Sequence, residues 1–397
     1  MTVSVIDTRA GYLSAVQAIG AGHGPIAIDT ERASGFRYSQ RAYLIQLYRR
    51  GAGTFLFDPP AIGNFTELND AIKADEWVLH AASQDLPCLR EVGLDPDLIF
   101  DTELGARLLG LPRVGLGTVV ESLLGIHLAK EHSAADWSTR PLPQSWLVYA
   151  ALDVELLVDV RDKVADLLDE AGKLDIARQE FVAVLQHEPK PFHADGWRRL
   201  SGLHSLRSAR NLAVARELWD ARENYARDID IAPGRLVPDS ALLAAAKVMP
   251  ETRHDLARLR EFTGRASRTE LARWWGAIET GRATDDLPNL RQRGEGMPPA
   301  RTWSERNPEA DKRLKTARPA LSEISQERSI PVENLLTPET LRRLAWTPPE
   351  TLDLQSVRNS LAELGARAWQ IDATAQTIVD AFVEAGQTAE QTPEAGS

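Results

Sequence analysis

Apolar residues in the first hundred positions fall in short runs parted by turn formers. PIAIDTE (25–31), AYLIQLYRR (42–50), GTFLFDPP (53–60), WVLHAAS (77–83) and LIFDTE (98–103) are rich in Ile, Val, Leu and aromatic residues and read as strands. Between and after them, FTELNDAIKAD, DLPCLREVG, ELGARLLG, GTVVESLLG and the long PQSWLVYAALDVELLVDVRDKVADLLDEAG carry apolar residues at helical spacing, most of them stopped by Gly. This alternation predicts a mixed α/β layer domain over about the first 185 residues. Beyond HEPKPFHADG the strand signal stops. Everything to about residue 385 reads as helix, interrupted by the Pro-, Gly- and Arg-rich TDDLPNLRQRGEGMPPARTWSERNPEA.

The helical half repeats itself. Shifted by 99 residues, so that 237 falls on 336, VPDSALLAAAKVMPET aligns with LTPETLRRLAWTPPET. Leu242 then falls on Leu341 and Pro250-Glu251-Thr252 on Pro349-Glu350-Thr351, while upstream Ile231 and Leu236 fall on Ile330 and Leu335. One helical unit is predicted to occur twice.

At 397 residues the chain has room for two or three domains, each with its own core. Its one cysteine, Cys88, excludes a disulfide framework and fits a reducing compartment; between Pro87 and Leu89 it reads as core rather than nucleophile. No apolar run approaches the roughly 20 residues that span a bilayer, and no basic segment followed by a hydrophobic one opens the chain, so a cytoplasmic protein without membrane contact is expected. Nothing reads as a coiled coil, and a monomer is expected. A net charge of −11 argues against a nucleic-acid partner until it is counted by region. Residues 1–190 carry 17 Lys and Arg against 27 Asp and Glu, whereas residues 197–282 carry 16 against 11. An acidic front half joined to a basic middle suits a metal-binding catalytic domain beside a module for polyanions; solvated helix faces are the plainer alternative. Arg207, Arg210, Arg216, Arg222 and Arg227 fall along one expected helix, where they either meet phosphates or solvate a face.

The tripeptide Asp-Thr-Glu occurs at 29–31 and again at 101–103. In the first copy it extends an apolar strand, where residues two apart share a face, so Asp29 and Glu31 present paired carboxylates that repel unless a cation lies between them. The second copy stands at a strand-to-helix junction, which suits Asp101 as an N-cap and Glu103 as a first-turn acid. Asp85 follows a strand, and Tyr149 and Asp153 are four apart on one helix face. Taken singly, these are as readily a capping acid and a packed aromatic. Together, four acids and a tyrosine meet the demand of hard divalent cations for oxygen ligands.

AIDTE followed by AYLIQL, then LHAASQDL, FDT, ADWSTRPL and YAALDV, in this order over about residues 26–155, resemble the ribonuclease D family within the DEDDy group of 3′ to 5′ exonucleases. The repeated helical unit resembles the HRDC domain, clearly over 201–284 and distantly over 306–386. The resemblance implies an α/β ribonuclease-H-like exonuclease domain, a mixed sheet flanked by helices, at 1–190. Two small all-α HRDC-type bundles follow at 201–284 and 306–386, with 285–305 a linker and 387–397 a disordered tail. It implies that Asp29, Glu31, Asp85 and Asp153 bind two divalent metal ions, Mg²⁺ or Mn²⁺, and that Tyr149 holds the attacking water. The expected activity is metal-dependent 3′–5′ exoribonuclease hydrolysis at RNA 3′ ends, in tRNA precursors or other structured RNA. A DNA exonuclease of the Werner type shares this chemistry, and a non-catalytic nucleic-acid-binding scaffold is the alternative from another class.

Three further residues are candidate substrate contacts: Thr30 between the two acids, His80 at a strand end and Trp137 in the ADWSTRP loop. His80 is as readily a satisfied rim group, and Trp137 either stacks a base or packs.

Overall fold

The apolar runs form a single six-stranded mixed sheet in the order β1-β4-β3-β2-β5-β6. The strands are β1 (Val5–Ile6), β2 (His23–Arg32), β3 (Ala42–Arg50), β4 (Gly53–Phe57), β5 (Glu76–Leu79) and β6 (Leu98–Asp101). β2 and β3, and β3 and β4, run antiparallel; β1 joins β4, β5 joins β2 and β6 joins β5 in parallel. The computed structural model describes residues 4–128, 134–187, 195–290 and 297–390. Ile26, Ala27 and Ile28 of β2 are buried in succession, as expected of an inner strand with both faces covered. Each isoleucine so buried stabilises the fold by about 1.5–3 kcal/mol. All five expected strands are present. β1, with two residues, is too short to leave a pattern, and the helices Arg9–Gly20 and Leu174–Leu185 add to those expected.

The stretch 143–172, expected as one helix, is divided at Leu156 into Gln144–Glu155 and Leu157–Glu170. The first piece packs Leu147, Ala150 and Ala151 with Leu44 and Leu56 of β3 and β4; the second sets Leu157 and Val158 against Ala27 and Val78 of β2 and β5. Neighbouring strands of a twisted sheet diverge, and one straight helix cannot follow both pairs.

Beyond β6 no strand occurs among the described residues, as expected. The helices Ala209–Asp228, Pro233–Leu236 and Asp239–Val248 each begin 99 residues before Pro308–Arg328, Val332–Leu335 and Pro338–Trp346, the offset of the sequence repeat. Leu236, Leu335, Leu242 and Leu341 are all buried, Leu242 and Leu341 in the cores of their respective bundles. The copies then part: short helices Arg253–Ala257 and Arg265–Thr269 precede Leu271–Ala283 in the first, whereas Leu354–Glu363 and Ala368–Glu390 complete the second. The outer helices of the first bundle approach so closely that a Cβ on Gly281 would lie 2.6 Å from Val214 Cα.

Packing shifts the expected boundaries. Trp197 and Leu200 join the core of the first bundle, ahead of 201. Trp303, inside the expected 285–305 linker, is wholly buried in the second bundle: its indole donates to the Pro298 carbonyl at 2.7 Å and its ring lies 4.9 Å from that of Trp346. The final helix continues to Glu390, within the expected 387–397 tail, whose residues 391–397 lie outside the described residues, as does the expected boundary at 190. The second bundle rests on Leu174–Leu185, where Arg367 makes two bonds to the buried Glu180, at 2.6 and 2.5 Å, and the Trp369 indole donates a third at 2.7 Å. No helix among the described residues is long and apolar enough to cross a membrane.

Candidate active site

The alternation of β2 puts Asp29 and Glu31 on one face, and helix Gln144–Glu155 brings Asp153 over them. One carboxylate oxygen from each of the three lies within 4.8 Å of the others. Tyr149, one turn before Asp153, donates its hydroxyl to the Asp153 carboxylate. With Asp85 and Arg32 these residues line a cleft of about 220 Å³. A larger cavity, about 1000 Å³, lies in the second bundle; its Glu339 is already paired with Arg342 and Arg343, so volume does not mark the chemistry.

Asp85 reaches the cleft differently. It stands at the N-cap of helix Leu86–Glu91 but makes no side-chain capping bond; instead its carboxylate accepts the Thr30 hydroxyl at 2.6 Å. The capping alternative for Asp85 is thereby excluded. Thr30 also lines the cleft; its nearly buried hydroxyl, 3.3 Å from Cys88 Sγ, is taken up in orienting Asp85. The turn leading to Asp85 passes through Ala81 at φ 65°, a left-handed conformation that a residue with a Cβ rarely adopts. Two bonds hold it there, from the amides of Ala81 (3.1 Å) and Ala82 (2.8 Å) to the Asp101 carboxylate. Asp101 also accepts the amides of Glu103 and Leu104, the capping role expected of the second triplet.

Burial raises the pKa of every acid in the cleft, and repulsion between carboxylates adds to it for Glu31, Asp85 and Asp153. Asp29 is shifted up mainly by burial; Glu31 by burial and then by Asp29, Asp153 and Asp85; Asp85 by burial and then by Asp29. Asp153 is pushed up to about 7 by burial and Asp29. Burial and the nearby carboxylates also raise Tyr149. Converging oxygens that are too negative for their surroundings are the donor set that hard divalent cations fit, and the acids, not a cavity shape, carry that fit.

His80 lines the same cleft, with Nδ1 2.9 Å from Thr102 Oγ1; burial depresses it to about 4, so it is neutral at physiological pH. Trp137 is corrected. It is wholly buried, 5.2 Å from the Trp146 ring and among Tyr43 and Leu44, so it packs and has no free face for a base. Cys88 is core as expected, its thiol pushed up to about 11 by burial. Arg207 lies ahead of helix Ala209–Asp228 rather than on it, and the other four of the five arginines are already committed. Arg210 reaches the Gly281 carbonyl, Arg216 pairs with Glu217 and Asp286, buried Arg222 with Glu223 and Asp239, and Arg227 bonds Tyr38. Arg207 is exposed. Arg32, Gln84, Leu116 and Leu157 also line the cleft, beyond the candidates named from the sequence. Arg32 had a signal, a cation directly after Glu31, whereas Leu116 lies 85 positions on and had none.

Residues 3–169 match the 3′-5′ exonuclease family, residues 211–278 the HRDC domain, and residues 296–382 the 3′ to 5′ exonuclease C-terminal domain. The ribonuclease D of Gluconacetobacter diazotrophicus is 31% identical over 343 residues, 83% of each chain. Among solved structures, a protein from Bifidobacterium adolescentis superposes with a TM-score of 0.89 at 36% identity, over 96% of this chain and 97% of that one. Escherichia coli RNase D, an exoribonuclease involved in structured RNA processing, superposes with a TM-score of 0.69 at 27% identity, over 97% and 99%. With the acidic cleft on a mixed sheet and helical bundles behind it, these matches establish that the chain belongs to the ribonuclease D family and is a 3′–5′ exoribonuclease.

Proposed function

We propose that Asp29, Glu31, Asp85 and Asp153 hold two divalent cations, Mg²⁺ or Mn²⁺, at which the chain hydrolyses the last phosphodiester of an RNA 3′ end. The observation that carries this reading is the convergence of Asp29, Glu31 and Asp153 within 4.8 Å. Divalent cations, when bound, lower the pKa of a water and offset the charge of the transition state. The four carboxylates retain that positive charge in the cleft and cancel part of it. Tyr149, bonded to Asp153, offers a hydroxyl that orients a water beside the scissile phosphorus; its raised pKa suits an orienting group rather than a base. Water's oxygen joins phosphorus, the bond to the upstream 3′ oxygen breaks, and that oxygen takes a proton, leaving a shortened strand and a 5′-mononucleotide. His80, neutral and lining the cleft, is our candidate for contact with the terminal nucleotide.

RNA with structure near its 3′ end, such as a tRNA precursor, is the substrate class supported by likeness to the structured-RNA processing enzyme of Escherichia coli. One chain carries all five groups, which supports action as a monomer. In this reading the exonuclease domain ends near 190 and the first bundle, with Trp197 and Leu200 in its core, is the HRDC domain. The second bundle is a diverged copy, a view supported by the shared 99-residue offset of three helices.

End-labelled RNA and DNA of one sequence, with Mg²⁺, Mn²⁺ or EDTA, test the proposal. 5′-labelled RNA should shorten one nucleotide at a time, 3′-labelled RNA should release mononucleotide at once, EDTA should stop both, and RNA should be trimmed faster than DNA. Internal cuts, or release that survives EDTA, would overturn it; faster trimming of DNA would overturn the assignment of RNA.

A further inference from the structure

β2 and β3 lose step directly beside the acidic cluster. Glu31 pairs with Leu44 but Arg32 pairs with Ala42, which leaves Tyr43 as an extra residue on β3. A bulge of this kind bends its strand and re-aims the side chains around it. It is held from two sides. Within the sheet domain, Arg140 donates to the Tyr43 carbonyl at 2.8 Å while pairing with both oxygens of Asp58, at 2.6 and 3.0 Å. From the first helical bundle, Asp230 accepts the Tyr43 hydroxyl at 3.1 Å and the Ser39 amide at 2.8 Å. Asp230 has φ 49°, a left-handed conformation that aspartate and asparagine tolerate better than other residues with a side chain. Next to it the Ala232 amide donates to the Phe36 carbonyl at 3.0 Å and Arg235 to that of Gly35 at 2.6 Å. The loop that leaves the metal-binding strand is therefore fastened to the bundle along its length.

We propose that Asp230 is a positioning residue for hydrolysis: through Tyr43 and Ser39 the first helical bundle fixes the bulge that aims Glu31. The bundle then sets turnover itself, in addition to any hold it has on RNA. This inference rests on the exonuclease reading of the acidic cleft and assigns part of its geometry to a residue about 200 positions away.

The test uses the full chain and a 5′-labelled diribonucleotide, too short to span from the cleft to a distant face of the bundle. Asp230→Gly removes the carboxylate without straining the turn, since glycine adopts φ 49° freely; Tyr43→Phe removes only the hydroxyl. Asp230→Gly should lower kcat about 10-fold with KM little changed, the scale of a small misplacement of a reacting group. Tyr43→Phe should lose part of that, and the double variant should fall no further than Asp230→Gly, because Asp230→Gly already breaks the contact that Tyr43→Phe removes. Asp230→Asn, which keeps an acceptor oxygen and tolerates the left-handed turn, should recover most of the rate. Unchanged kcat in Asp230→Gly overturns the proposal. So does a loss that is additive with Tyr43→Phe, or one that tracks the folded fraction measured by circular dichroism. A wild-type chain that releases nothing from either the dinucleotide or longer RNA would overturn the exonuclease reading, and this proposal with it.

Discussion

Asp29-Thr30-Glu31 and Asp101-Thr102-Glu103 are the same tripeptide placed in opposite electrostatic circumstances. The first lies inside a ten-residue strand, so its acids share a face and meet Asp153, another acid. The second straddles the end of a four-residue strand, where the chain turns into helix Thr102–Leu108 and Asp101 collects four backbone amides, from Ala81, Ala82, Glu103 and Leu104. Glu103 pairs with Arg107 one turn on. The threonines diverge as well: Thr30 donates to Asp85, a cleft acid, and Thr102 to the Leu79 carbonyl of the neighbouring strand. An acid whose lone pairs are all engaged by donors is part of the scaffold; an acid surrounded by acids is waiting for a cation.

The sharpest way to break the comparison is at the first triplet and its helix partner. Asp29→Asn or Asp153→Asn should lower metal-dependent turnover by at least about 1,000-fold. The same changes should raise the melting temperature in EDTA, because an amide removes a repelled charge. Wild-type protein in EDTA should likewise melt higher as pH falls. Asp153 has a folded pKa raised to about 7, so its proton stabilises the fold fully at pH below about 4, and that contribution is lost as pH rises through about 7. Divalent metal at pH 8 should restore stability. A melting temperature that drops in the amide variants would mean these acids hold the fold together.

Tyr149→Phe comes next, with kcat expected to fall roughly 10- to 1,000-fold while metal affinity, read by calorimetry, stays nearly unchanged. Wild-type turnover in this variant would remove the hydroxyl from the mechanism.

Asp101→Asn sharpens the contrast from the other side. The amide keeps one oxygen for Ala81, Glu103 and Leu104 but turns an NH₂ toward the Ala82 amide, donor against donor. Thermal denaturation should show a loss of about 1–3 kcal/mol. Turnover should fall less than in Tyr149→Phe, through the turn that carries Asp85. Activity as low as that of Asp29→Asn would erase the distinction between the triplets.

Glu103→Gln should do least. Its partly exposed pair with Arg107 is worth at most about 0.5 kcal/mol, and kcat should match wild type within error. A clear drop in kcat would give the second triplet a catalytic share it is not assigned here.

The sequence by itself determined the element types, the repeat and the sidedness of the candidate acids, because all of these are local periodicities. A period of two puts Asp29 and Glu31 together, a spacing of four does the same for Tyr149 and Asp153, and a 99-residue shift finds three helices of each bundle. It also separated the two triplets, since strand interior and strand end are local facts. What it left open was what stands opposite each side chain. Thr30 finds Asp85 at 55 residues' distance, Arg140 finds Asp58 at 82 and Asp230 finds Tyr43 at 187. The same is true of Trp137, which packs on Trp146 and the sheet, and of the arginines of Ala209–Asp228, which are engaged by carboxylates, carbonyls and Tyr38. Periodicity assigns a residue to a face. Only chain folding decides whether that face meets an acid, an amide, an aromatic ring or water, and with that choice whether a carboxylate caps a helix or holds a cation.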